Sequence, residues 1–204
     1  DKTIVHVLNR IGFGPRPGDV EKVRTMGLQA YIDEQLHPER IADAGMDARL
    51  AGLTTVGLSS REIAEQFEQP LMEAQRQRQQ QQRGNNGNAP NPNGAPAPPN
   101  PNGPPPMPDP IQQRANAVLV ELGEQKMLRA VYSERQLQEV LADFWFNHFN
   151  VDARKGRVRF MLTEYEREVI RPRVLGKFRD LLGATAQSPA MLFYLDNWLS
   201  ADPN

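Results

Sequence analysis

Cysteine is absent from the 204 residues, which excludes disulfides, thiolate metal sites and a cysteine nucleophile. Histidine occurs three times, as His6, His37 and His148. With no thiolates to help, a complete zinc site from this chain is not expected. Lysine and arginine number 24 against 25 aspartates and glutamates, a net charge of −1. There is no basic surplus of the kind nucleic-acid binding requires, so no nucleic-acid partner is expected. No apolar run approaches the ~18 residues of a membrane span. The pattern Gly-x-Ser-x-Gly is also missing, so no serine sits on a nucleophile elbow. The first residue is Asp1 rather than Met, and any targeting peptide is expected to lie outside the sequence.

Apolar residues make up only 39% of the chain, but the shortage is local. Residues 75–110 contain four of them: Ala89, Ala95, Ala97 and Met107. Six glutamines fill eight positions from Gln75 to Gln82, and 11 of the 18 prolines lie between 89 and 110. Proline removes backbone donors and disfavours helix at the residue before it. Such a stretch buries too little apolar surface to offset its ordering entropy. The composition therefore predicts a disordered Gln/Asn/Pro-rich insert over 75–110 with polyproline character. It is either an expanded loop inside one fold or a proline-rich ligand for an SH3-like partner. The flanking parts, 1–74 and 111–204, carry roughly 45% apolar residues, ordinary for globular chains. They are expected to form one helical domain.

The rest of the pattern is helical. Ile4, Val5, Val7 and Leu8 predict a short helix ended by Gly12-Phe13-Gly14-Pro15. A second begins at Pro17-Gly18-Asp19 and stops at Met26-Gly27, and a third spans Leu28 to Leu36 before Pro38. Ser59 to Glu62 and Ser133 to Gln136 both have the spacing of a capping box. The first helix should run on into the glutamines and fray there. A long helix is expected from Ile111 to Val131. In the helix after Ser133, Leu137, Val140, Leu141, Phe144, Trp145 and His148 form one continuous stripe, which predicts a central core helix. Further helices are expected over Phe160–Ile170, broken at Pro172, over Lys177–Gln187, and from Ser188-Pro189 through an apolar run to Leu199. No strand alternation is present. The fold class is all-α, an irregular multi-helix bundle.

Few side chains invite chemistry. Gly12 to Gly18 superficially suggests a phosphate loop, but two prolines remove donors and no strand precedes it. His6 and Arg10 share a helix face and could point at an anion. His148 lies within the apolar stripe, so its ring should point inward and need a partner. Asp196, Asn197 or the His6–Arg10 segment are the candidates. Glu139, Asp143, Asn147 and Asn150 form a separate polar line on the same helix. Arg167, Arg171 and Arg173 beside Glu164, Glu166 and Glu168 suggest a solvated, salt-bridged surface.

Four strings, in order, resemble one bacterial family, domain of unknown function 1800. They are His6-Val7-Leu8-Asn9-Arg10-Ile11-Gly12-Phe13-Gly14-Pro15, Asp143-Phe144-Trp145-Phe146-Asn147-His148-Phe149, Tyr165-Glu166-Arg167-Glu168-Val169-Ile170-Arg171-Pro172 and Pro189-Ala190-Met191-Leu192-Phe193-Tyr194-Leu195-Asp196-Asn197. The resemblance implies an exported protein and the N-terminal part of a larger domain. Members typically continue into a Gly-Leu-Asn-Glu-Asn-Tyr-Ala-Arg-Glu-Leu-like helix and a further histidine. It implies no mechanism. Two functions remain open. One is a structural or binding module, its partner a protein or the C-terminal remainder of the same domain. The other is a metal-assisted hydrolase completed by that remainder. Its catalytic candidates are His148, Asp143 and Asp196, with His148 as the candidate metal ligand and no cofactor specified. His6, Arg10, Asn147 and Asn197 are further candidate polar contacts.

Overall fold

The computed structural model describes residues 1–85 and 109–200. All regular structure among them is helical, in line with the predicted class. Helices α1 (Lys2–Ile11), α2 (Asp19–Met26) and α3 (Leu28–Leu36) match the three N-terminal predictions. Gly27 ends α2 at φ 93°, where a side chain would be strained, and its N–H bonds back to the Val23 carbonyl. A short helix, α4 (Ala44–Leu50), follows.

The first capping box forms as its spacing predicts. Ser59 Oγ accepts from the Glu62 N–H at 3.2 Å, and a Glu62 carboxylate oxygen accepts from the Ser59 N–H at 2.8 Å. It opens α5 (Ser60–Ile63), which passes through a π-helical turn, Ala64–Glu68, into α6 (Gln69–Asn85). The glutamine tract is therefore helical up to Asn85. Glutamine and arginine are good helix formers, so the predicted insert begins inside a helix. The portion of it from 86 to 108 lies outside the described residues. Helix α7 (Pro110–Tyr132) then runs back, with α4, α6 and α8 (Gln136–His148) packed against it.

The second capping box does not form. Ser133 Oγ donates to Asp43 at 2.8 Å and accepts from the Arg135 N–H at 3.1 Å, and α8 starts two residues late, at Gln136. The α7–α8 corner is held by side chains from far back in the chain. The Gln35 amide donates to the Glu134 carbonyl at 2.9 Å and accepts from the Leu137 N–H at 3.0 Å. Arg16 reaches the Glu134 carboxylate at 3.1 Å, and Arg135 donates to the Ile41 carbonyl at 2.9 Å. Orphan amides at a helix start need acceptors, and here Gln35 and Asp43 supply them.

Beyond the corner, a 3-10 turn (Gly156–Phe160), α9 (Leu162–Glu164), a second π-helical turn (Tyr165–Ile170) and a 3-10 turn (Arg171–Arg173) form one winding segment. Helices α10 (Phe178–Gln187) and α11 (Pro189–Tyr194) follow. Ser188 caps α11 by accepting from the Met191 N–H at 3.1 Å. The predicted apolar helix to Leu199 stops at Tyr194, because Asp196 takes a left-handed conformation, φ 57°. The apolar core has three parts. Leu8, Val23 and Tyr31 pack the N-terminal helices, and Ile63, Phe67, Val118 and Phe160 pack α5 and α6 on α7. Leu122, Val158, Leu162, Ile170 and Leu181 pack the C-terminal half.

Candidate functional site

Helix α8 turns a polar face inward. Its buried residues are Gln136, Glu139 and Ala142, while Phe144 is 53% exposed. The apolar stripe is thus only partly the core face that the pattern predicts: Leu141 and Trp145 pack against the C-terminal core, while Phe144 and His148 are exposed. Glu139 has a buried cation to meet. Arg171 donates to it at 2.7 Å and to Glu166 at 2.6 Å and 3.1 Å. Glu166 is only 1% exposed, and its second oxygen accepts the Gln125 amide at 3.1 Å. Arg129 stands 3.9 Å from Glu139, with its Nε buried and without a hydrogen-bond partner among the described residues.

Glu166 and Arg171, which the spacing of charges puts on a solvated surface, are instead part of a buried network. The reason is local winding. Glu166 and Arg171 are five residues apart, and the π-helical turn Tyr165–Ile170 brings positions of that spacing together. Burial works against the charge on Arg171, but Glu166 and Glu139 outweigh it and hold the guanidinium pKa above its ordinary range. Burial and repulsion by Arg171 push Arg129 the other way. Glu139 and Glu166 both pair with Arg171, and with Gln125 the network ties α7, α8 and the π turn together. A cleft of about 380 Å³ lies on one side, lined by Phe13, Lys126, Asp143 and the network. A more polar one of about 520 Å³ lies on the other, lined by Asp43, Asp47, Arg129 and Arg135.

The outward face of α8 is a run of touching rings. Trp145 stacks on Phe149 at 5.7 Å and meets Phe144 edge-on at 4.9 Å, and Phe178 of α10 lies 5.8 Å from the indole. Phe178 is 54% exposed and Leu182, one turn on, is exposed as well. The string Phe144-Trp145-Phe146-Asn147-His148-Phe149 therefore straddles core and surface: Trp145, Phe146 and Phe149 are half-buried against the C-terminal core, Phe146 beside Tyr165, while Phe144 and His148 stand exposed.

A family model matches residues 6–204, and its description is Protein of unknown function (DUF1800). The chain belongs to this family. No curated protein and no solved structure matches it. The DUF1800 description carries no reaction, so the placement of each candidate residue has to speak for itself.

His148 is exposed, stacked on Phe144 at 5.8 Å and edge-on to Phe149 at 4.9 Å. It does not point inward, and none of the partners predicted for it is at its ring. Asp143 pairs with Lys126 at 2.8 Å, and Asp196 pairs with Lys155 at 2.7 Å. Asn147 donates to the Asp143 carbonyl one turn back at 2.9 Å, and Asn197 accepts from Ser200. His6 and Arg10 are exposed on α1. Among the described residues, no group of three or more His, Asp or Glu is placed to hold one metal ion. Trp145 packs on Phe149 and Phe178, while Trp198 stacks on Phe193 at 5.3 Å.

Proposed function

We propose that this protein is a binding module that docks a separate polypeptide on the aromatic face of α8 and α10. One observation carries the reading: Phe144, Trp145, His148, Phe149 and Phe178 form a contiguous ring surface that is open to solvent at Phe144, His148 and Phe178. Aromatic side chains free of unpaired charge are the composition of interface centres. Contiguous exposed apolar patches mark interaction sites. The nearby Asp143 is neutralised by Lys126, so the face offers apolar area and the imidazole of His148 rather than net charge. That suits a partner presenting an apolar helix face. An extracytoplasmic location is part of the same proposal and rests on the family resemblance; fractionation of the producing cell tests it.

The docking reading is tested by placing a photocrosslinking phenylalanine analogue at position 144 in the producing cell. A defined adduct with a second polypeptide, lost in Phe178→Asp, is the expected result. Crosslinks only within the same chain, or none above those from an analogue at exposed Val120, would overturn it.

A further inference from the structure

A groove of about 480 Å³ lies between α6, α7 and the Gly156–Phe160 turn, and shares no residue with the aromatic face. Its walls are apolar, built by Leu71, Met72, Phe160 and Phe193, and two arginines, Arg157 and Arg159, stand in its lining. The two cations differ in how they are held. The π-helical turn Ala64–Glu68 delivers Glu68 to the groove in a buried position. Arg157 pairs with it through two contacts, at 2.7 Å and 2.9 Å. That pair is neutral and complete. Arg159 has one neutral partner, the Asn116 side-chain oxygen at 2.8 Å. Its Nε is buried and meets no acceptor among the described residues.

The groove-lining residues therefore leave one positive charge without a counter-charge, the Arg159 guanidinium, which lies 5.5 Å from the Phe160 ring of the groove wall. A guanidinium fork matches a carboxylate in shape and charge. We propose that the groove binds an amphiphilic monocarboxylic acid, with its carboxylate at Arg159 and its hydrocarbon tail along Leu71, Met72, Phe160 and Phe193. The polar group sits at a fixed point while the tail lies on apolar walls, the usual division of labour in small-molecule sites. A monoanion balances the single unmatched charge. A phosphate monoester, carrying more negative charge at neutral pH, exceeds it and faces the Glu68 carboxylate.

Calorimetric titration of the protein with decanoate, kept below micelle-forming concentrations, should reveal one saturable site. Decanol lacks the charge and acetate lacks the tail, and each should bind at least tenfold more weakly. Arg159→Gln should weaken decanoate at least tenfold and leave decanol unchanged. Met72→Glu, at an exposed rim position, should weaken decanoate as strongly with no change in melting temperature, so the test survives if the arginine variant folds poorly. Absence of saturable decanoate binding would overturn the proposal. So would decanol binding as tightly as decanoate, decyl phosphate binding more tightly, or unchanged decanoate affinity in both variants.

Discussion

Arg171 grips Glu166, five positions earlier in the chain, with Nη2 at 2.6 Å and Nε at 3.1 Å. On an α-helix five residues advance the chain by about 500°, leaving the two side chains about 140° apart. The π winding of Tyr165–Ile170 narrows that offset. The pair then reaches Glu139 of α8 at 2.7 Å, and three elements become joined through one guanidinium.

Arg171→Met should therefore destabilise the protein by about 3–5 kcal/mol, because two buried carboxylates are left without a cation. Urea unfolding followed by circular dichroism measures this. Adding Glu139→Gln and Glu166→Gln to the same variant should recover most of the loss. A triple variant no more stable than the single one would contradict the account.

A second prediction concerns alkaline pH. Burial, reinforced by the nearby Asp19, pushes the Tyr31 phenol up to about 12. The folded state keeps a proton that the unfolded chain releases near pH 10. This contribution to stability is fully present below about pH 10 and is lost as pH rises through about 12. Melting temperature should fall over that window, and Tyr31→Phe should flatten the fall. Equal slopes for the two proteins would count against it.

The aromatic face should be nearly silent in folding. Phe144→Ser and Phe178→Ser alter half-exposed rings, and surface changes of this kind usually stay within about 0.5 kcal/mol. Binding of a hydrophobic dye should drop in the double variant while its unfolding midpoint barely moves. A loss of several kcal/mol would show that the face is part of the core.

Replacing residues 86–108 by a short Gly/Ser linker should preserve the helical circular-dichroism signal of the remainder and shift stability only slightly. Closure entropy varies slowly with loop length. Helices α6 and α7 already pack together, with Arg78 bonded to Asp109 at 2.6 Å. A cooperative loss of helix content would refute this.

Much of the fold is legible in the residues. Gly27 marks the end of α2, Ser59 with Glu62 marks the start of α5, and Ser188-Pro189 the start of α11. These are local signals, decided within one turn by capping bonds. The buried network is not legible because its determinants are not local. Glu166 and Arg171 share a face only in a π turn, which α-helical periodicity cannot display. The α8 stripe is buried only in part, at Leu141 and Trp145, because periodicity says which residues share a face, but not how much of that face meets the core. Gln136 and Glu139 are buried because distant partners satisfy them, Gln136 accepting from the Phe13 N–H at 3.2 Å and Glu139 from Arg171. The Ser133 box stays open because its hydroxyl accepts from the Arg135 N–H instead, and the Gln136 side chain is drawn to the Phe13 N–H and to the Ala130 and Ser133 carbonyls.

That corner also sets a schedule for synthesis. The Gln35 amide finds its acceptor and donor only at Glu134 and Leu137, the latter 102 residues downstream. At the ~5–20 residues per second of translation, the N-terminal helices leave the ribosome about 5–20 s before the segment they clasp exists. During that interval the buried amide, Asp43 and Arg16 are all solvated, and the first three helices have only their own small cluster of Leu8, Val23 and Tyr31 to hold them. The nascent N-terminal third is thus a waiting half-clasp, open to chaperones and proteases until α8 arrives.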